Sequence, residues 1–234
     1  IGALSGADLI LYNGLHLEAK LNAALECLSA RIPIYPVTQY ISGQRLLAAD
    51  AENFDPHVWM DVSLWHQAVD VVRDALVMYD PMHAEDYRLR AVTYGAKLDA
   101  LNEELKTALA ALPTDRRVLV TAHDGFRYFG RAYGLEVRGV QGISTENAAG
   151  MQAINSAVDY IVQRNINAVF PEGSTPDRDL EAVIEACRAR GHSVRLGPEL
   201  FADAMASDSP SSDGINGYLE MMRHNASVIV TTLK

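Results

Sequence analysis

The sequence predicts an α/β protein with parallel sheets in two lobes, and three features carry that expectation. Short apolar runs ending in turn residues alternate with helix-length stretches, the connections between them are short, and one uninterrupted helical pattern near the middle is long enough to connect two lobes. The expected division is an N-terminal α/β lobe over residues 1–82, a linker helix over 83–112 and a C-terminal α/β lobe over 113–234.

Ala7 to Gly14 is an apolar run stopped by Asn13-Gly14, which suits a buried parallel strand ending in a turn. Leu17, Leu21, Ala24, Leu25 and Leu28 recur at helical spacing and predict a helix with one buried stripe. Ile32 to Val37 reads as a second strand, moved toward a sheet edge by Pro33 and Pro36. Gly43 to Phe54 is a polar connection. From Asp61 the pattern is helical, with Leu64, Ala68, Val71, Val72 and Ala75 on one face, and Asp80-Pro81 stops it. The stretch from His83 to Leu112 is rich in Ala, Leu, Glu, Lys and Arg, and Leu89, Val92, Leu98, Leu101, Leu105 and Leu109 are its expected apolar positions. At 1.5 Å per residue such a helix is roughly 40 Å long.

Beyond Pro113 the expected order is strand 118–121, helix 125–133, strand 136–140, helix 149–164, strand 168–170, helix 177–190, strand 193–196 and a closing helix from about Gly217 to Leu233. Val37 and Leu119 then belong to different sheets. Ser207 to Asp213 is a short low-complexity loop.

Composition removes several function classes. A formal net charge of −10 over 234 residues makes nucleic acid a poor partner, because phosphate binding relies on Lys and Arg. Net acidity keeps a protein soluble and is compatible with attracting cations. No run of about 18 apolar residues encodes a membrane span, and no basic segment followed by an apolar one marks a signal peptide. The first residue is Ile1 rather than Met, as expected of a processed or trimmed product. Cys27 and Cys187 lack metal-knuckle or redox spacing and are expected as buried small hydrophobes. Serine-nucleophile elbows, P-loops, HExxH helices and dinucleotide fingerprints are all absent.

Three distant segments each present a metal-competent side chain beside a strand or turn: His57 in Asp55-Pro56-His57-Val58-Trp59, His123 in Val120-Thr121-Ala122-His123-Asp124, and Asp203 in Leu200-Phe201-Ala202-Asp203. Two imidazoles and a carboxylate converging from separate loops suit a first-row divalent cation. Ligands of parallel α/β sheets collect at the carboxyl ends of strands, where His123 and Asp203 fall. Pro56 stiffens the approach to His57; packing of His57 on Trp59 is the structural alternative. Asp124 either orients an imidazole or caps the following helix, with capping the preferred reading. Glu172 either reaches the same crevice or satisfies backbone donors in its turn. His16 is read as a capping or surface histidine, and His66, His83, His192 and His224 as solvated.

Taken together, Asn13-Gly14-Leu15-His16-Leu17-Glu18, Asp55 to Trp59, Val120 to Phe126 with Tyr128-Phe129 and Ala132-Tyr133-Gly134, Gln141 to Thr145, and Leu200 to Ala204 followed by Tyr218 to Met222 and Asn225 resemble the zinc- and manganese-binding solute receptors of ABC transporters, the TroA-like cluster. The similarity runs nearly end to end. It implies a two-lobed extracytoplasmic receptor, periplasmic or lipid-anchored through an upstream segment, with a single long helix between the lobes and the metal at their interface. His57, His123 and Asp203 match the second, third and fourth ligands of that family. The first, a histidine in an upstream Pro-His segment, has no counterpart, and neither do the first strand and helix, so the N-terminal lobe is incomplete; water or His16 would complete the set.

A histidine in the third position is similar to zinc-preferring members, so the resemblance implies Zn2+ with Mn2+ as the alternative, consistent with nitrogen donors suiting zinc. The implied partners are the cation and an ABC permease in the membrane, with the receptor monomeric and not an enzyme. Two other readings compete: a zinc-dependent hydrolase using an open three-ligand site, with Glu172 or Asp124 as general base, and a cofactor-free module for a small organic ligand. Imidazole ligation predicts that affinity drops as pH falls through about 6.5.

Overall fold

The computed structural model describes residues 2–144, 149–173, 175–204 and 217–234. The Ser207 to Asp213 loop, Thr145 of the Gln141 motif and Ser174 lie outside them. The chain divides into two compact units, Ile1–Asn102 and Glu103–Lys234, and the division falls within a long helix.

In the first unit a short helix α1 (Gly2–Ser5) precedes strand β1 (Ile10–Tyr12), which pairs in parallel with β2 (Ile34–Pro36) in the register Ile10 to Ile34. Helix α2 (Asn22–Ser29) lies between them in sequence, and Leu25 and Leu28 join Ile10 and Ile32 in a small apolar core. Leu17 and Leu21 do not belong to that stripe. They are 47% and 37% exposed, because Gly14, Leu15 and His16 take positive φ of 86°, 53° and 63° and Ala19–Leu21 is a 3-10 turn, so α-helical periodicity starts only at Asn22. Gly14 has no substitute there: a Cβ would lie 2.9 Å from Pro36 Cβ and Thr38 Oγ1. Cys27 falls outside the Leu25 and Leu28 stripe and is exposed, contrary to expectation, whereas Cys187 is buried as expected; both are free thiols.

Helix α3 (Val62–Tyr79) is capped by Asp61, whose carboxylate accepts from the amides of Ser63 and Leu64. It buries Val62, Leu64, Ala68, Val71 and Ala75. The long helix α4 (Ala84–Ala110) buries Leu98 and Leu101 in the first unit and Leu105 and Leu109 in the second. Leu89 and Val92 are 66% and 71% exposed. At 3.6 residues per turn Leu89 falls opposite Leu98 and Val92 about a third of a turn away, so neither shares the buried stripe.

The second unit carries the alternation read from the sequence: β3 (Val118–Thr121), α5 (Arg127–Tyr133), β4 (Glu136–Gly139), α6 (Met151–Gln163), β5 (Ala168–Val169), α7 (Arg178–Ala189), β6 (Arg195–Leu196) and α8 (Tyr218–Leu233). Among the described residues of this unit every strand pair is parallel, β3 with β4 and β5 with β6, and parallel bridges join Thr121 to Phe170 and Glu172 to Leu200. Val118, Val120 and Val169 pack with Val158 and Ile161 of α6 and Leu180 and Val183 of α7. Each such side chain contributes roughly 1.5–3 kcal/mol by leaving water. Val37 and Leu119 lie against different sheets, as expected. Among the described residues no helix is long and apolar enough to cross a membrane.

Candidate metal centre

His57 sits in the first unit at the entry to a 3-10 turn, Val58–Met60, which hands the chain to α3. Its imidazole is buried, and Nδ1 lies 2.7 Å from Oδ1 of Asp55, a carboxylate with no exposed surface that also accepts from the His57 amide at 3.1 Å. A carboxylate on Nδ1 fixes the tautomer, so Nε2 is the nitrogen with which this ring can ligate. Trp59 stacks obliquely on the ring with centroids 5.1 Å apart. The loop is held from behind by the Asn13-Gly14 turn: Asn13 Nδ2 donates to the Pro56 carbonyl at 3.2 Å, and Glu18 accepts from the amides of Asn13 and Gly14 at 2.7 and 3.1 Å. His16 is exposed within that turn.

His123 follows the carboxyl end of β3 in the second unit and is fully buried. Thr121 Oγ1 donates to its carbonyl at 2.8 Å, and its amide donates to Glu172 Oε1 at 2.9 Å. Glu172 follows β5 and is itself 1% exposed; its Oε2 lies 2.7 Å from His123 Nδ1. On the other side of the ring, Asp203 Oδ2 stands 3.4 Å from Nε2. The ends of β3 and β5, with the segment that follows the bridge from Leu200 to Glu172, thus place Glu172, His123 and Asp203 side by side at the carboxyl edge of a parallel arrangement. Burial alone pushes the His123 imidazole down, but its contacts with Asp203 and Glu172, and their charges, outweigh this and raise it from 6.5 to about 10.

The end of β4 closes tightly on this loop. A Cβ on Gly139 would meet the Asp124 nitrogen and the His123 carbonyl carbon at 2.4 Å, so only glycine allows the approach. Asp124 uses that proximity, accepting from the Gly139 amide at 2.6 Å.

The histidines expected to be solvated are all engaged. His66 Nδ1 is 2.9 Å from Asp99 and His83 Nδ1 is 2.6 Å from Asp80, pairs hidden in the sequence by separation or by an intervening proline turn. His192 and His224 donate to the carbonyls of Ile166 and Glu199 at 2.7 and 3.0 Å. Asp55 was not singled out as a partner of His57; the signal lay in the Asp-Pro-His spacing, where the fixed φ of Pro56 turns residues two apart toward one another. Of the two roles open to Glu172, reaching the crevice is the one observed: the backbone donor its carboxylate accepts from is the His123 amide, outside its own turn.

Each unit presents a buried imidazole with a carboxylate on Nδ1, and the second adds a further carboxylate at the Nε2 edge. The two residues considered as a general base are committed elsewhere, Glu172 to His123 and Asp124 to the Gly139 amide.

Comparison with known proteins agrees with this chemistry. The family model described as ZnuA, zinc-uptake complex component A, periplasmic, matches residues 1–232. The zinc-binding protein TroA of Treponema pallidum (strain Nichols) is 42% identical over 230 residues, covering 98% of this chain and 74% of the relative. The manganese-binding lipoprotein MntA of Bacillus subtilis (strain 168) is 37% identical over 232 residues, covering 99% and 75%. A solved structure of periplasmic zinc-binding TroA from Treponema pallidum superposes with a TM-score of 0.93 at 41% identity, over 98% of this chain and 82% of that one. The chain belongs to the family of periplasmic zinc-uptake component A proteins, the substrate-binding receptors of metal ABC transporters.

Proposed function

We propose that this chain captures one divalent transition metal on His57, His123 and Asp203 and delivers it to an ABC permease in the membrane, acting outside the cytoplasm as a monomer, with any lipid anchor on a segment upstream. Zinc is the preferred cargo and manganese the second. Two imidazoles and one carboxylate form a borderline-soft set that suits zinc, and water or a further side chain fills the remaining tetrahedral position. In the two-lobe organisation proposed with it, α4 is the stiff connector that limits how far the lobes can move. The observation that carries this reading is the environment of His123, buried with Glu172 on Nδ1 and Asp203 3.4 Å from Nε2. Proteins named for zinc binding and for manganese binding both stand among the relatives, which supports the choice of the two cations.

Native mass spectrometry with added zinc or manganese tests the proposal. One ion per chain is expected, with loss of the ion in His123→Ala. Retention of the same stoichiometry by His123→Ala would remove the site.

A further inference from the structure

We infer that Asn225 is the positioning residue for Asp203, gripping the backbone two residues before it and so setting where the carboxylate stands beside His123. The inference rests on the metal-binding reading above and adds to it a residue of α8 that has no metal-competent group of its own.

Asn225 has no exposed surface. Its Oδ1 accepts from the Phe201 amide at 2.9 Å and its Nδ2 donates to the Phe201 carbonyl at 2.8 Å. A carboxamide is the side chain that can do this, because it carries a donor and an acceptor spaced like a peptide group and pairs with one residue as a neighbouring strand would. The grip falls beyond the end of β6 at Leu196, one residue after the bridge from Leu200 to Glu172. His224, adjacent in α8, adds a bond from Nε2 to the Glu199 carbonyl at 3.0 Å and packs its ring on Phe201 with centroids 5.1 Å apart. Asp203 is 30% exposed and makes its 3.4 Å approach to His123 from the end of this clamped segment. Without the carboxamide, the Phe201 amide and carbonyl would need other partners and would find them only by moving.

Zinc affinity, measured by chelator competition on the native chain, Asp203→Ala, Asn225→Ala and the double variant, tests this. Asn225→Ala should still bind one zinc by native mass spectrometry, with affinity lowered about 10- to 100-fold, the range for residues that orient a ligand. Asp203→Ala should lose at least as much, and the double variant should be no weaker than Asp203→Ala alone, since a residue acting through Asp203 has nothing left to position. Full multiplication of the two losses would overturn the inference, because a general loosening of the fold acts on either background. Native affinity in Asp203→Ala would instead overturn the metal-site reading itself. Should Asn225→Ala fail to fold, Asn225→Gln keeps both donor and acceptor on a side chain one methylene longer; it should show a loss that again vanishes on the Asp203→Ala background, and an undiminished loss there would overturn the inference.

Discussion

Without a cation, His123 is an imidazolium lodged between two carboxylates, and that single fact sets how the site answers pH. Its pKa stands at about 10 in the folded chain against 6.5 for the free side chain. A group raised on folding adds stability that is fully present below about 6.5 and is lost as pH climbs toward 10. The metal-free protein should therefore lose thermal stability across that window, measured by calorimetry, and His123→Gln should flatten the slope. On the proposed site zinc displaces the same proton from Nε2, so apparent affinity should rise with pH by up to about tenfold per unit over the window. Titration calorimetry at pH 8 in buffers of different ionisation heat should report close to one proton released per zinc. The sequence placed this transition near 6.5; Glu172 and Asp203 move it upward, because a charge partner 2.7 or 3.4 Å away outweighs desolvation. Glu172→Gln removes one of those charges while leaving an acceptor for the His123 amide, and should weaken zinc binding about 10- to 100-fold.

Among the elements, the β3 to α5 connection matters most, because it must bring His123 to the strand edge while β4 passes against it. Gly139→Ala inserts a methyl group where backbone atoms stand 2.4 Å away, and should cost about 1–3 kcal/mol in urea unfolding while weakening zinc binding. Strand β3 was legible to its exact residues because four consecutive apolar or β-branched positions, all buried, lead straight into a turn. The helices of the second unit were legible to within two residues for the same reason of unbroken alternation. Less legible was the stretch from Gly14 to Leu21, where three successive positive φ values replace the helix that leucine spacing suggested; glycine permits the first, but nothing in Leu15 or His16 advertises the others. Leu89 and Val92 misled because a 27-residue helix carries apolar residues on more than its buried side.

For the whole chain, the three proposed ligand positions come from motif and strand-end logic, whereas not all of the polar groups that hold them could be named that way. Asp55 and Asn225 act through geometry that a linear string hides: one bends back over a proline, and the other reaches a loop 24 residues away. A net charge of −10 favours the approach of cations over anions, in keeping with membership of a metal-uptake family. Binding to the folded chain alone should raise its unfolding free energy by about 2.7 kcal/mol at zinc a hundredfold above Kd, seen as a concentration-dependent rise in Tm. The most direct test is anomalous diffraction at the zinc edge from crystals of the chain soaked in zinc. The account predicts one principal peak at about 2.0–2.2 Å from an imidazole nitrogen of His57, one of His123 and a carboxylate oxygen of Asp203; a peak bound elsewhere, with those three side chains uncoordinated, would contradict it.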